Sequence, residues 1–158
     1  NLFITDKMPQ NFRYIGLILA VFPEAKILHI KRNTATVCWA NYKQWFRSKE
    51  LSYSYSISDI VKYFKLYEDI MEFWKKNFKN FIYEISYEDL TNDPINITKN
   101  LITHLNLGWE ENCLYPEKNK RSISTASNIQ VRKKIYKGSS EKWKKYRPFL
   151  DNVFDKIQ

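Results

Sequence analysis

Two short apolar runs, AKILHIKR at residues 25–32 and NFIYEISYEDL at residues 80–90, are separated by a long stretch of helical pattern. Each run is short enough for a strand, and the first ends directly before a helix start at Asn33 or Thr34. A strand, a long helical connection and a second strand make a crossover unit, which sets the two strands parallel in one sheet. The class is therefore α/β, a parallel sheet flanked by helices. The first run reads as a short buried strand, and the second as a strand ending in a polar turn.

The connection holds the strongest helix of the chain. Across residues 59–76, Ile60, Phe64, Tyr67, Met71 and Trp74 recur at alternating four- and three-residue steps, one apolar stripe on a helix. TATVCWANYKQWF at 34–46 suits a helix with Val37, Trp39 and Tyr42 as packing candidates. Residues 11–22 carry helical spacing and stop at Pro23. DPINITKNLITHLNL reads as a helix with Asp93 as N-cap, Pro94 at its first position and Gly108 as its stop. Residues 109–138 look irregular. SSEKWKKYRPFLDNVFDKI suggests a helix broken near Pro148, with Trp143, Leu150 and Phe154 facing inward.

At 158 residues with three glycines, five prolines and no linker-like segment, the chain reads as one domain, residues 1–158. Lys and Arg outnumber Asp and Glu by 26 to 17, for a net charge of +9. That excess favours an anionic partner: nucleic acid, a phosphorylated small molecule, a sulfated glycan or an acidic membrane face. It is concentrated in Arg132, Lys133, Lys134, Lys137, Lys142, Lys144, Lys145 and Arg147, with Glu141 opposed, which also suits a solvated basic face. Cys38 and Cys113 make neither a disulfide scaffold nor a four-ligand zinc site, so no metal is expected and a reducing compartment is the simpler reading. The longest apolar run is too short to span a membrane.

Ligands of parallel sheets gather at strand carboxyl ends, where helix N-termini offer free N–H groups to anions. Arg32 ends the first strand and Tyr87 the second; alone, each also suits a surface arginine and a packing aromatic. No GxxxxGK[ST] or GxGxxG occurs. His29, between Leu28 and Ile30, reads as a satisfied core histidine. Glu84, Glu88 and Asp89 read as partners of nearby lysines.

Five blocks then line up in order: TDKMPQNFRYIGLILAVFPEAKILHIKRN, CWANYKQWF, YEDL, TASNIQVRKKIY and SSEKWKKY. Together they resemble the PAPS-dependent sulfotransferases, especially the bacterial group often fused to tetratricopeptide repeats and related to protein-tyrosine sulfotransferases. PAPS, 3′-phosphoadenosine 5′-phosphosulfate, is the co-substrate the resemblance implies, and the fold is the P-loop-NTPase-like sulfotransferase fold. By the same resemblance Arg32 binds the 3′-phosphate, Tyr87 meets the nucleotide, Ser127 lies near the sulfuryl group and the bridging phosphate, and Lys142 reaches the phosphates. Lys137 and Gly138 have a weaker claim on the 3′-phosphate. Lys7, in DKMP, matches a lysine near the transferring group and is, with Ser127, the catalytic candidate. Ala40 stands where the family commonly has a serine, which removes one hydroxyl contact.

The family's Gly/Ser/Thr-rich 5′-phosphosulfate loop and its general base have no counterpart in these 158 residues. The expectation is the C-terminal two thirds of the family domain, N-terminally truncated, without the first strand and inactive as this fragment. Its partners are adenosine 3′,5′-bisphosphate, an unknown hydroxyl or amine acceptor and, through an exposed sheet edge, a second copy. The location implied is the cytoplasm for a bacterial source, or a secretory lumen for a eukaryotic tyrosine-sulfating type. Two alternatives stand beside this: a basic nucleic-acid-binding module, and a nucleotide-binding pseudo-sulfotransferase.

Overall fold

The computed structural model describes residues 3–119 and 132–157. A 3-10 turn over Pro9–Tyr14 leads into α1, Ile15–Val21. Then follow β1, Ile27–Lys31; α2, Thr34–Lys43; α3, Ile57–Phe78; β2, Ile82–Ser86; α4, Tyr87–Asn92; and α5, Pro94–His104. The helix expected over 11–22 is thus part 3-10 and part α. The Phe12 carbonyl accepts from Trp74 Nε1 at 2.7 Å, so a side chain of α3 holds the 3-10 turn in place.

β1 and β2 pair in parallel, with Ile27 opposite Ile82 and Lys31 opposite Ser86, as the crossover pattern requires. One face of this pair packs on α1 and α3 through Ile27 and Ile82. On the other, Tyr83 stacks on His104 of α5 at 4.3 Å. That cover does not extend over β1: Leu28 is 40% and Ile30 57% exposed, so β1 is not the buried strand expected from its composition. An apolar run reports what a strand can bury and is silent on which neighbour covers it.

α3 is the spine. Ser56 caps it by accepting from the Asp59 N–H, and its apolar stripe feeds two cores. Ile60 and Val61 join Ala35 and Cys38 of α2 and Trp143, Leu150, Phe154 and Ile157 of the C-terminal segment. About three turns of helix further on, Met71 joins Ile15 and Leu19 of α1. Gly16 permits that second packing, because a Cβ there would sit 3.0 Å from the Trp74 ring.

α5 starts as expected, with Asp93 Oδ1 accepting from the Asn96 N–H at 3.2 Å and Pro94 at the first position. It ends earlier than Gly108: Asn106, at φ 56°, makes the left-handed turn. The C-terminal helix does not form. Three 3-10 segments, Ser139–Glu141, Lys144–Phe149 and Val153–Ile157, take its place. Pro148 removes one N–H and biases Arg147 away from α geometry, and Asp151 and Asn152 at φ 44° and 52° turn the chain again. Trp143, Leu150 and Phe154 are nonetheless buried as expected, the first and last in edge-to-face contact at 5.9 Å. Among the described residues no helix is long and apolar enough to cross a membrane.

Candidate functional site

Because Lys31 and Ser86 are registered, the residues that follow them, Arg32 and Tyr87, emerge side by side at the carboxyl end of the sheet. The Arg32 guanidinium carbon lies 4.5 Å from the Tyr87 ring centre, a cation–π contact. Asn33 then caps α2, its Oδ1 accepting from the Thr36 N–H at 3.0 Å. The first turn of α2 leaves the N–H groups of Thr34 and Ala35 without an intrahelical acceptor. A cation, an aromatic hydroxyl and free backbone donors therefore meet at one sheet end.

The C-terminal segment closes this end. Gly138, at φ 80°, makes a left-handed turn that delivers two buried hydroxyls, Ser139 and Ser140. Arg32 Nη2 donates to Ser139 Oγ at 3.0 Å and Arg32 Nε to Ser140 Oγ at 3.2 Å. Tyr87 Oη shares a hydrogen bond of 2.9 Å with Ser139 Oγ. Ser140 Oγ donates to Glu88 Oε1, which also accepts from the Asn33 N–H at 3.0 Å. The Ser140 carbonyl accepts from Thr36 Oγ1.

Glu88 therefore does not pair with a lysine as its surroundings in sequence suggested; its partners are a hydroxyl and a backbone N–H. Partial burial works to raise its carboxyl, but the bonds from Ser140 and Asn33 and the Arg32 charge outweigh that and hold it below the ordinary value. Ser139, Ser140 and Glu88 were not singled out as site residues. Glu88 stood in the recognised YEDL block and the serines in SSEKWKKY, but their meeting is a long-range contact that spacing does not encode.

Beside Arg32 opens a cavity of ≈ 360 Å³ lined by Arg32, Asn33, Thr34, Glu141, Trp143 and Lys144. Two of the five guanidinium N–H groups of Arg32 are given to the serines, which leaves three to serve this side. Trp143 lines the cavity as well, while its indole nitrogen is itself buried from solvent. Lys144 is paired with Glu141, an exposed ion pair that an incoming anion can exchange. The donors fit a phosphate-sized anion.

The other expected residues are placed less closely. Lys142 is exposed, its Nζ 5.1 Å from the Tyr136 ring centre. Lys137 lies near enough to Asp93 to act on its charge. Lys7 is exposed ahead of α1. Ser127 lies outside the described residues. Away from this end, His29 is satisfied as expected, its Nδ1 2.8 Å from Glu84 Oε1 and its Nε2 2.6 Å from Tyr67 Oη.

The model of the sulfotransferase family matches residues 1–111, a span that contains Lys7, Arg32, Tyr87 and Glu88. The chain belongs to the sulfotransferase family. It is similar to an uncharacterized protein of Aquifex aeolicus (strain VF5), 41% identical over 157 residues. That alignment covers 98% of this chain and 21% of the relative, so the chain spans about a fifth of the length of the relative it matches. The sulfotransferase match stops before Gly138, so the serine pair that closes on Arg32 comes from outside the matched span.

Proposed function

We propose that this chain supplies the 3′-phosphate side of a sulfotransferase site, which moves a sulfuryl group from PAPS to a hydroxyl or amine acceptor. The observation that carries the reading is the junction of Arg32, Tyr87 and Ser139 at the carboxyl ends of two registered parallel strands. The remaining Arg32 N–H groups and the first turn of α2 suit a dianionic phosphate. Tyr87 then faces the nucleotide, Lys142 and Lys137 add positive potential, Gly138 sets the turn, and Ser127 belongs near the bridging phosphate.

In the transfer step the acceptor oxygen or nitrogen attacks sulfur, the sulfur–oxygen bond to the 5′-phosphate breaks, and the acceptor proton passes to a base. Adenosine 3′,5′-bisphosphate leaves with the electron pair. Negative charge grows on the departing phosphate oxygen, where a fixed cation such as Lys7 lowers the barrier. Among the described residues neither strand is followed by a Gly/Ser/Thr-rich loop: β1 runs through Arg32 and Asn33 into α2, and β2 directly into α4. The chain's part is therefore nucleotide recognition, and complete turnover belongs to an intact site.

Calorimetry with adenosine 3′,5′-bisphosphate and adenosine 5′-phosphate tests it. The bisphosphate should bind more tightly, and Arg32→Ala should erase the difference. Equal or absent binding of both removes the 3′-phosphate site; steep salt-dependent binding of any polynucleotide would favour the nucleic-acid module instead.

A further inference from the structure

We propose that Glu88 is a positioning residue, which fixes the Arg32 guanidinium through Ser140 and aims its free N–H groups at the phosphate cavity. The proposal rests on the phosphate reading above and adds a residue with no predicted contact to the nucleotide. An arginine side chain has many rotamers, and a guanidinium that must present a fork to phosphate gains from being held before the ligand arrives.

The holding is explicit. Arg32 Nε and Nη2 form one edge of the planar group, and this edge is filled by Ser140 Oγ and Ser139 Oγ. With that edge taken, the plane of the guanidinium is set and the opposite edge is turned away from the serines. A serine hydroxyl can donate as readily as it accepts, so by itself Ser140 would not hold a cation in one place. Glu88 removes the ambiguity: its carboxylate accepts the hydrogen bond that the Ser140 hydroxyl donates, which commits the Ser140 oxygen to accept from Arg32. The same Glu88 oxygen accepts from the Asn33 N–H, so the carboxylate also ties down the backbone between Arg32 and α2.

Ser139 makes a parallel link to Tyr87. One side of the arginine is thereby bound, through the two serines, to the first two residues of α4, and the ring beneath it completes the cradle. Glu88 is partly buried and its carboxyl is held ionised by these donors, so it serves as an acceptor throughout the neutral range.

The test uses the complete protein that carries this chain, with adenosine 3′,5′-bisphosphate and adenosine 5′-phosphate as probes. Glu88→Ala should weaken the bisphosphate by about tenfold or more, the scale of a hydrogen bond to a charged group, and the monophosphate much less. Glu88→Gln retains a carbonyl oxygen able to accept from both Ser140 and Asn33 and should restore most of the preference. Ser140→Ala, which leaves the Glu88–Asn33 bond intact, should lose the preference too, and combining it with Glu88→Ala should add little. Thermal melts check that each variant folds. A preference kept in both Glu88→Ala and Ser140→Ala, or an equal loss for the two probes, overturns the Glu88 assignment alone. A wild-type protein that does not prefer the bisphosphate overturns the phosphate reading, and this proposal with it.

Discussion

The guanidinium of Arg32 rests on the face of the Tyr87 ring, 4.5 Å from its centre, although one follows the first strand and the other the second. The contact separates two contributions of Tyr87. Tyr87→Phe keeps the ring and loses only the bond to Ser139, so adenosine 3′,5′-bisphosphate should bind a few-fold more weakly. Tyr87→Leu also loses the cation–π contact, about 0.5–2 kcal/mol, and should cost a further factor of up to about 30 in calorimetry. Equal effects of the two changes would mean that the ring face contributes nothing.

Ala40 lies exposed on α2, one turn after Thr36 and on the same side of the helix. Ala40→Ser should restore a hydroxyl toward the phosphate and tighten the bisphosphate by about tenfold, with no change for the monophosphate. No gain in affinity counts against a phosphate on this side of α2.

Gly138 occupies the left-handed region at φ 80°, and a Cβ there would meet nothing within 4 Å. The cost of a side chain is thus conformational and not steric. Gly138→Ala should lower stability by about 1–2 kcal/mol and displace the serine pair, while Gly138→Asn, which tolerates this geometry, should be milder. Chemical denaturation and nucleotide affinity should move together across the two variants.

Lys7→Ala, in an intact enzyme, should reduce turnover by about 10²–10³-fold and leave nucleotide binding nearly unchanged, because the cation is needed when charge develops on the leaving group. Single-turnover rates at saturating PAPS would show this. Collapse of binding with turnover preserved per bound complex would remove Lys7 from the chemistry.

His29 gives the fold a pH signature. Burial pushes its pKa below the ordinary 6.5, against the pull of Glu84, with Lys75 and Lys31 adding to the lowering; Tyr67 faces its other nitrogen. The folded state therefore holds neutral His29 where the unfolded chain is already protonated. Its contribution is complete above pH 6.5 and is lost as pH falls through the lower folded value, by at most about 1.4 kcal/mol per pH unit. Glu84, held low chiefly by Lys75 and His29 against partial burial, adds a second loss below its ordinary 4.5. Melting temperatures from pH 8 to about 3 should fall in these two stages, and His29→Gln should flatten the first.

The parallel pair, α3 and the capped start of α5 were legible because each is written locally: in strand length, a four-three stripe, or Asp93 before Pro94. The place of Arg32 and Tyr87 just past the two strand ends was legible for a related reason, since it follows from where each short strand stops. Glu88 was not, because nearby lysines in sequence said nothing of a serine arriving from the far end of the chain. The exposure of Leu28 and Ile30 depends in the same way on what packs against β1. The C-terminal helix failed where Pro148 and two left-handed residues outweighed a helical apolar pattern.

The arrival of the serine pair from beyond Gly138 also implies an order of events. Synthesis runs from Arg32 through Tyr87 to the two serines, so a nascent chain carries the cation and the ring well before the hydroxyls that discipline them leave the ribosome. The arginine fork is completed last, and a product that stops short of Gly138 would keep both strand ends yet present an untethered charge at them.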